Sequence, residues 1–305
     1  MIEYDAKSWT SHLFDLRTSM SLVIIGRTLV CVGWSVVVLI SHDVILYEYA
    51  RDPITIPTTI HTLIGFALGT LLVFRTNTAY DRFWEGRKLW GGIVNETRNL
   101  ARLVATFFEA DPELARSTIY WTMAWPFATM HGLRGGSGLG PATRHLPEAE
   151  VRAALDASHG AMHIATRITA KLREGRDKGL VSDVTFNHID DNVQLLVDYL
   201  GACERIKKTP LPFAYMVHIR RALGLYCFTL PFALVADFGA GAIVATFLVA
   251  YIFFGIEEIG VEIENPFDGD ENDLPLERIC EGIDVNLRAF LPAGAPDDAE
   301  PAAVG

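Results

Sequence analysis

The stretch from Ile54 to Phe74 carries no charged side chain and ends at Arg75. Its length is about that of a helix that crosses the hydrocarbon core of a bilayer, which takes ~20 residues. On a helical wheel its phenylalanine and threonine side chains share one face, whereas Gly65 and Gly69 lie on another. The run therefore predicts a membrane helix with one close-packing face and a second, distinct face.

Apolar and charged residues are segregated along the chain. Half of the 305 residues are hydrophobic and the mean hydropathy is +0.24, although the formal net charge is −11. Four windows carry most of the apolar excess, at about 20–41, 54–74, 213–236 and 238–256. The chain is therefore predicted to be all-α, with four transmembrane helices and a helical cytoplasmic domain.

These windows divide the chain into five predicted parts. Residues 1–74 hold an N-terminal segment and the first two transmembrane helices, and residues 75–210 form the cytoplasmic domain. Residues 211–256 hold the third and fourth transmembrane helices, 257–290 an acidic turn and a cytoplasmic helix, and 291–305 a disordered tail.

Helical patterns within the cytoplasmic domain cover about 116–131, 148–176 and 183–206, and a last helix is predicted near 275–290. The first of these patterns is apolar, but it is too short to span a membrane and contains Pro126. It is therefore predicted to be a buried helix of the soluble domain.

Basic residues near the ends of the apolar windows predict the orientation in the membrane. They cluster on the side of the termini and the inserted domain: Lys7, Arg17, Arg75, Arg82, Arg87, Lys88, Arg205, Lys207 and Lys208. The connection 42–53 contains one basic residue, Arg51. Both termini are therefore expected in the cytoplasm. The start of the chain is acidic and polar, which is unlike a signal peptide.

Two further features concern a charged residue in the first apolar window and the cysteines, of which only Cys31 and Cys227 lie in such windows. Arg27 is costly at membrane depth, so it is expected near the cytoplasmic interface or paired within the helix bundle. The four cysteines have no paired spacing, which favours free thiols: Cys31, Cys203, Cys227 and Cys280.

The second apolar window has a face that is compatible with two environments. Thr59, Thr62, Phe66, Thr70 and Phe74 recur about one helical turn apart. If this face points into lipid, the glycine pair Gly65 and Gly69 supports an ordinary helix contact. If several copies surround an axis, the same face forms stacked rings that can stop ions by excluding water.

Three motifs of the chain resemble those of bacterial bestrophins. The first runs from Phe74 to Gly91, Phe-Arg-Thr-Asn-Thr-Ala-Tyr-Asp-Arg-Phe-Trp-Glu-Gly-Arg-Lys-Leu-Trp-Gly. The second runs from Gly201 to Tyr215, and the third combines Glu264-Asn-Pro-Phe267 with Asn272-Asp-Leu-Pro275. The resemblance extends from about residue 8 to 290, nearly the whole chain.

The resemblance implies a homopentameric ion channel with one central pore in the cytoplasmic membrane of a bacterium, surrounded by lipid and without enzymatic turnover. It assigns the membrane neck to Phe66, Thr70 and Phe74, and a cytoplasmic aperture to Val184. Thr70 departs from the larger apolar residue that is usual at its ring. A neck containing this hydroxyl is expected to admit water more readily than three apolar rings.

The resemblance also implies two alternatives for the monovalent ion that passes through the pore. Bestrophins from animals pass anions such as chloride, whereas bacterial members are cation-selective. The net charge of −11 favours cations because an acidic vestibule concentrates them. The sequence therefore predicts a cation (sodium) channel, with a chloride channel as the alternative.

The acidic turn Asp268-Gly-Asp-Glu-Asn-Asp273 offers oxygen ligands to a hard cation such as calcium. Candidate ligands are Asp268, Asp270, Asn272 and Asp273. Its spacing does not follow the EF-hand loop, and animal bestrophins hold calcium in a denser acidic run at the corresponding place. A solvated turn that caps the last helix is the favoured interpretation, and no other cofactor is predicted.

Rival functions rest on fewer residues. His61 and His218 would be the axial ligands of a haem-binding membrane redox protein. A coupled transporter should show inverted repeats with broken helices, and none is evident. A scaffold without a pore is a third possibility. No basic stripe for nucleic acid appears in the sequence.

Overall fold

The computed structural model describes residues 20–47, 49 and 54–293. Several predictions fall outside this part of the chain. They concern the N-terminal basic residues Lys7 and Arg17, the loop residue Arg51, and all but the first three residues of the predicted tail 291–305.

All regular secondary structure in the described residues is helical, which confirms the all-α prediction. We number the α-helices in chain order: α1 Met20–Tyr47, α2 Thr58–Phe107, α3 Pro112–Leu133, α4 Glu148–Asp156, α5 Gly160–Asp177, α6 Asp183–Lys208, α7 Phe213–Phe238, α8 Gly241–Glu262 and α9 Leu276–Arg288. A 3₁₀ helix covers Pro141–His145.

Four helices in the described part of the chain are long and apolar enough to cross a membrane: α1, α2, α7 and α8. They correspond to the four predicted windows. The helix α2 is 50 residues long and continues beyond the apolar window to Phe107.

The chain divides into two compact units. Among the described residues, unit 1 comprises those within 20–83 and 210–265, and unit 2 comprises 84–209 and 266–293. Unit 1 contains α1, the first part of α2, α7 and α8. Its buried cluster joins α2, α7 and α8 through Leu68, Leu223, Tyr226, Cys227, Leu230 and Ala250. Between membrane helices such side chains stabilise the contact by close van der Waals packing, because lipid tails are as apolar as they are.

The ends of α7 follow simple backbone chemistry. Pro212 precedes the first helical residue, where a fixed φ near −65° suits a helix start. Gly239 ends the helix with a φ of 52°, a conformation that favours glycine. Only Gly239 and Ala240 separate α7 from α8, so the two helices form a tight hairpin.

Unit 2 is built around α3, the buried helix that the sequence predicts over 116–131. Its central residues Trp121 and Trp125 are fully buried, despite Pro126 inside the helix. Asp111 caps the N-terminus, because its carboxylate accepts a hydrogen bond from the Leu114 N–H at 3.1 Å.

One predicted element differs from the structure. The pattern over 148–176 is two helices rather than one, because α4 ends at Asp156 and α5 begins at Gly160. Ala157 adopts an extended conformation that stops the first helix. The apolar spacing continues across this break, which is why periodicity alone does not reveal it.

Candidate functional site

The predicted neck residues lie on a face of α2 that the single chain leaves uncovered. Phe66 is 78% exposed and Phe74 is 61% exposed, and Thr70 between them is also exposed. Leu63 is 68% exposed and lies two turns before Thr70 on the same face. Leu63 is absent from the sequence-based candidates, although its i−7 spacing from Thr70 could have identified it.

The hydroxyl of Thr70 donates a hydrogen bond to the Phe66 carbonyl at 2.9 Å. Thr62 and Thr78 make the same bond to the carbonyls of Thr58 and Phe74. Each hydroxyl proton is thus used within the helix, while oxygen lone pairs remain as acceptors. Between two aromatic side chains, Thr70 presents a polar acceptor on an otherwise apolar face.

The opposite face of α2 packs inside unit 1. Leu68 and Leu72 are buried. A Cβ added to Gly65 would lie 2.8 Å from the Tyr226 hydroxyl oxygen, so α7 approaches α2 closely at this glycine. A Cβ added to Gly69 would meet no atom within 4 Å. Of these two glycines, Gly65 is therefore the one that allows close packing within the described chain.

A buried ion cluster lies directly after the predicted neck. Arg75 is fully buried and its Nη1 donates to Glu257 Oε1 at 2.6 Å. Arg220 Nε donates to the same oxygen at 3.0 Å. Arg27 Nη1 lies 3.3 Å from Glu257 Oε2 and 2.6 Å from Glu258 Oε2. Three arginines therefore surround one buried glutamate.

This cluster joins α1, α2, α7 and α8 at one level of unit 1. It confirms that Arg27 pairs within the bundle rather than standing alone. The Nε and Nη2 atoms of Arg75 have no hydrogen-bond partner among the described residues, so its position depends on Glu257. Since Arg75 follows Phe74 in the sequence, the same contact fixes the helical turn that carries the last predicted neck residue.

Val184 lies in the first turn of α6, within unit 2, and is 80% exposed. Ser182 caps this helix by accepting a hydrogen bond from the Thr185 N–H at 3.2 Å. The cap holds the first turn in a defined conformation, and Val184 projects from it without an intramolecular cover. Its role as the aperture stays a prediction.

The acidic turn is organised by its last residue. The Asp273 side chain is buried, and its Oδ2 accepts N–H bonds from Gly269 at 2.7 Å and Asp270 at 2.9 Å. Burial raises the pKa of Asp273, against the lowering effect of these two N–H groups. Asp273 thus stabilises the turn itself. The predicted capping of the last helix is wrong, because Pro275 occupies the N-cap position of α9 and no side chain caps it there.

Within the described residues, no group of three or more His, Cys, Asp or Glu side chains is placed so that it could hold a metal ion. A calcium site that also draws on Asn272 stays a prediction. His61, a ligand only in the rival haem hypothesis, forms a hydrogen bond within the bundle, because its Nε2 lies 3.0 Å from the Thr229 hydroxyl. All four cysteines are free thiols, as predicted.

Comparison with known proteins adds a family and several relatives. A family model described as bacterial/fungal bestrophin protein matches residues 1–289. A voltage-dependent anion channel-forming protein of Synechocystis, sll1024, is 38% identical over 287 residues, covering 93% of this chain and 92% of the relative. The protein of the same description from Escherichia coli K12, YneE, is 30% identical and covers 94% of this chain and 93% of its own length.

The solved structures give the same result. The crystal structure of a bacterial bestrophin homologue from Klebsiella pneumoniae superposes with a TM-score of 0.81 at 32% sequence identity. The match covers 88% of this chain and 98% of that chain.

Proposed function

This chain belongs to the bacterial and fungal bestrophin family, and from that membership we propose that it is a membrane ion channel that conducts by passive diffusion and carries out no enzymatic turnover. The observation that supports this most is the uncovered face of α2. Phe66 and Phe74 are large and apolar, yet no part of the described chain covers them. An apolar face of this size in one chain needs either lipid or further copies of the chain.

The proposed assembly is a homopentamer in a bacterial cytoplasmic membrane, with both termini in the cytoplasm. Five copies of α2 surround the axis, so that Phe66, Thr70 and Phe74 form three rings of the neck. Val184 forms a separate aperture in the cytoplasmic part of the pathway. Membrane lipid surrounds the outer helices. Channels with such apolar constrictions control ions by controlling water.

The first candidate for the permeant ion is a small monovalent anion such as chloride. The cation preference that we predicted from net charge is not supported by the comparisons, since relatives covering more than nine-tenths of this chain are named anion channel-forming proteins. The neck residues themselves are neutral, so they impose no charge barrier of either sign.

The second candidate is a sodium-type monovalent cation. The observation that favours it is the excess of 37 acidic over 26 basic side chains, which lowers the electrostatic potential around the chain. The two candidates predict opposite reversal potentials under a salt gradient.

Flux through the purified full-length protein in liposomes tests the function. Replacing chloride by gluconate should abolish the current of an anion channel, whereas replacing sodium by N-methyl-D-glucamine should abolish that of a cation channel. Phe74→Lys and Phe74→Glu serve as a matched pair. They should shift the reversal potential in opposite directions if Phe74 lines the pathway. Absence of flux in vesicles that contain assembled protein would refute the proposal.

A further inference from the structure

A groove of about 340 Å³ lies between α1 and α7 in unit 1, and we call it the α1–α7 groove. Its lining residues come from 27–34 of α1 and 224–228 of α7, together with Phe254 of α8. Among the described residues that line it, Arg27 alone is charged and the others are apolar. The volume falls in the range of small-molecule sites, about 300–1,000 Å³. None of the predicted neck and aperture residues lines this groove.

The groove has one charged and one apolar end. Arg27 and Trp34 lie on the same face of α1, separated by about 10 Å along the helix axis. The Trp34 ring stacks on the Phe228 ring, with centroids 4.6 Å apart and an angle of 13° between the planes. The Trp34 Nε1 also donates a hydrogen bond to the Phe228 carbonyl at 2.9 Å. The helices α1 and α7 are therefore joined at the apolar end.

Gly224 accounts for part of the open space in the groove. A Cβ added to Gly224 would meet no atom of the described chain within 4 Å. Glycine in a membrane helix usually lets a second helix approach, as Gly65 does for Tyr226. Since no part of the described chain approaches Gly224 in this way, the missing side chain leaves room on α7 for a molecule from outside the chain.

Arg27 and Arg221 lie at the same level of unit 1. Arg27 and Arg220 both contact the carboxylate of Glu257, which places the next residue, Arg221, at this level too. The part of α1 after Arg27 and the part of α7 after Arg221 are each long enough for the hydrocarbon core, which takes about 17–25 residues. Both arginines are therefore expected at the depth of the lipid headgroups, where basic pockets between membrane helices bind anionic lipids.

Arg221 carries a charge that the described chain leaves unpaired. Its side chain is exposed and forms no hydrogen bond or ion pair with the described residues. It lies two helical turns before Phe228, on the face of α7 that lines the groove. Arg27 uses only its Nη1 towards Glu257 and Glu258, so its Nε and Nη2 donors form no bond within the described chain. Two cationic side chains with unused donors thus flank the charged end of the groove.

The charges of this region favour a negatively charged group. In the buried ion cluster, three arginines contact two glutamates. With Arg221 added, the arginines exceed these two glutamates by two positive charges. A phosphate group suits this place, because a guanidinium binds phosphate through paired N–H donors.

We propose that the α1–α7 groove binds one anionic phospholipid of the surrounding membrane. Its phosphate accepts hydrogen bonds from Arg27 and Arg221, and part of an acyl chain lies past Gly224 towards Trp34 and Phe228. This proposal rests on the membrane position of unit 1 but not on ion conduction. A helix from a second copy of the chain would fit the apolar walls, but it would need a carboxylate to match the two arginines. A phospholipid brings the apolar chain and the negative charge in one molecule.

Native mass spectrometry of the detergent-purified full chain tests the site, because one spectrum counts both the bound lipids and the copies of the chain. The probes are phosphatidylglycerol and phosphatidylcholine with the same acyl chains. The wild type should prefer phosphatidylglycerol, because the choline group cancels the phosphate charge. Arg221→Gln should weaken phosphatidylglycerol binding about tenfold, the effect of losing one charge-assisted hydrogen bond, and reduce this preference. Gly224→Leu fills the groove and should weaken binding of both lipids.

Two variants are matched controls. Arg173→Gln removes an exposed arginine of unit 2 that likewise forms no hydrogen bond or ion pair with the described residues. Gly33→Leu adds the same side chain as Gly224→Leu at a glycine of α1 whose Cβ position is also open within the described chain, but which does not line the groove. Both controls should bind the two lipids like the wild type.

Equal weakening in Arg221→Gln and Arg173→Gln, or unchanged lipid binding in Gly224→Leu, would overturn the proposal. A smaller number of copies per complex in Arg221→Gln or Gly224→Leu, with lipid binding retained, would also overturn it, since the groove would then be an interface between copies. No flux is measured in this experiment. A protein that binds the lipid but does not conduct therefore contradicts the channel function alone.

Discussion

Thr70 is the residue at which this chain differs most from a fully apolar neck. Its side chain is exposed between two phenylalanines, and its proton is held by the Phe66 carbonyl. The oxygen can still accept a hydrogen bond from water. In the proposed neck, a ring of such oxygens would lower the free-energy cost of keeping water there, and with it the barrier to an ion.

Replacement of Thr70 by Ile should therefore reduce conduction. Loss of ~1 kcal/mol of polar stabilisation for the permeating ion corresponds to a decrease of about fivefold in rate. Single-channel recording in planar bilayers measures both conductance and open probability. Thr106→Ile is the control, because Thr106 is also an exposed threonine of α2 that donates to the carbonyl four residues earlier, but it lies in unit 2. If both quantities are unchanged in Thr70→Ile, Thr70 does not line the limiting constriction.

Asp111 caps the N-terminus of α3, and its charge adds to the stability of the folded chain. Besides capping α3, its carboxylate accepts a hydrogen bond from Lys178 Nζ at 2.8 Å. This bond, together with the capped N–H groups, holds the pKa of Asp111 below its usual range. Because the folded-state pKa is the lower one, the stabilisation is present above the unfolded-state pKa and is lost as the pH falls through the folded-state pKa.

Asp111→Asn keeps the cap acceptor but removes the charge. At neutral pH the variant should be less stable than the wild type by at most about 1 kcal/mol, since the pair is partly exposed. The difference should shrink as the pH falls below about 4, near the unfolded pKa of aspartate. Thermal unfolding of both proteins across this range measures it, and a difference that grows towards low pH would contradict the assignment.

At the scale of the element, two of the contacts that hold α2 differ in kind. Gly65 allows Tyr226 to approach, and Arg75 is bound by Glu257. The glycine spacing and the charge that ends the apolar run are both visible in the sequence. The partners are not, because Arg75 and Glu257 are 182 residues apart and only the folded bundle brings them together.

The four spans were predictable because each requires a long apolar window, a property of local sequence. The break between α4 and α5 was missed because apolar spacing continues across it, although Gly160 was an available signal. The predicted neck omits Leu63, because it is defined by phenylalanine and threonine positions alone, whereas Leu63 lies on the same face seven residues before Thr70.

Glu257→Gln should strongly destabilise unit 1. The change leaves Arg75 charged and buried with a neutral partner, and breaking a buried pair costs about 3–5 kcal/mol. Arg27→Gln removes a cation from the same cluster, but the Arg27 side chain is 42% exposed and its loss should cost less than about 1 kcal/mol. Thermal unfolding in detergent compares the two variants. Equal losses of stability would contradict the role given to the buried pair.

Gly65 and Gly69 of α2 provide a second matched comparison. Gly65→Ala forces the Tyr226 hydroxyl to move and should cost about 1 kcal/mol, at the low end for overpacking because a side-chain end can shift. Gly69→Ala meets open space within one chain and should leave thermal stability within about 0.5 kcal/mol of the wild type. A greater loss for Gly69→Ala would mean that another copy of the chain occupies that space.

At the scale of the whole molecule, the proposed channel function depends on what covers the exposed face of α2. One chain exposes Leu63, Phe66 and Phe74 together, and membership of the bestrophin family makes further copies the proposed cover. In that assembly the same side chains that would be favourable against lipid instead surround a narrow column of water. The fold of a single chain is compatible with both environments, so only the assembly distinguishes them.

A cryo-electron microscopy map of the full-length protein in lipid nanodiscs tests this claim most directly. We expect five copies around one axis, with Phe66, Thr70 and Phe74 forming successive rings around an open channel. A map in which Phe66 and Phe74 contact acyl chains, with no axial opening between the copies, would contradict it.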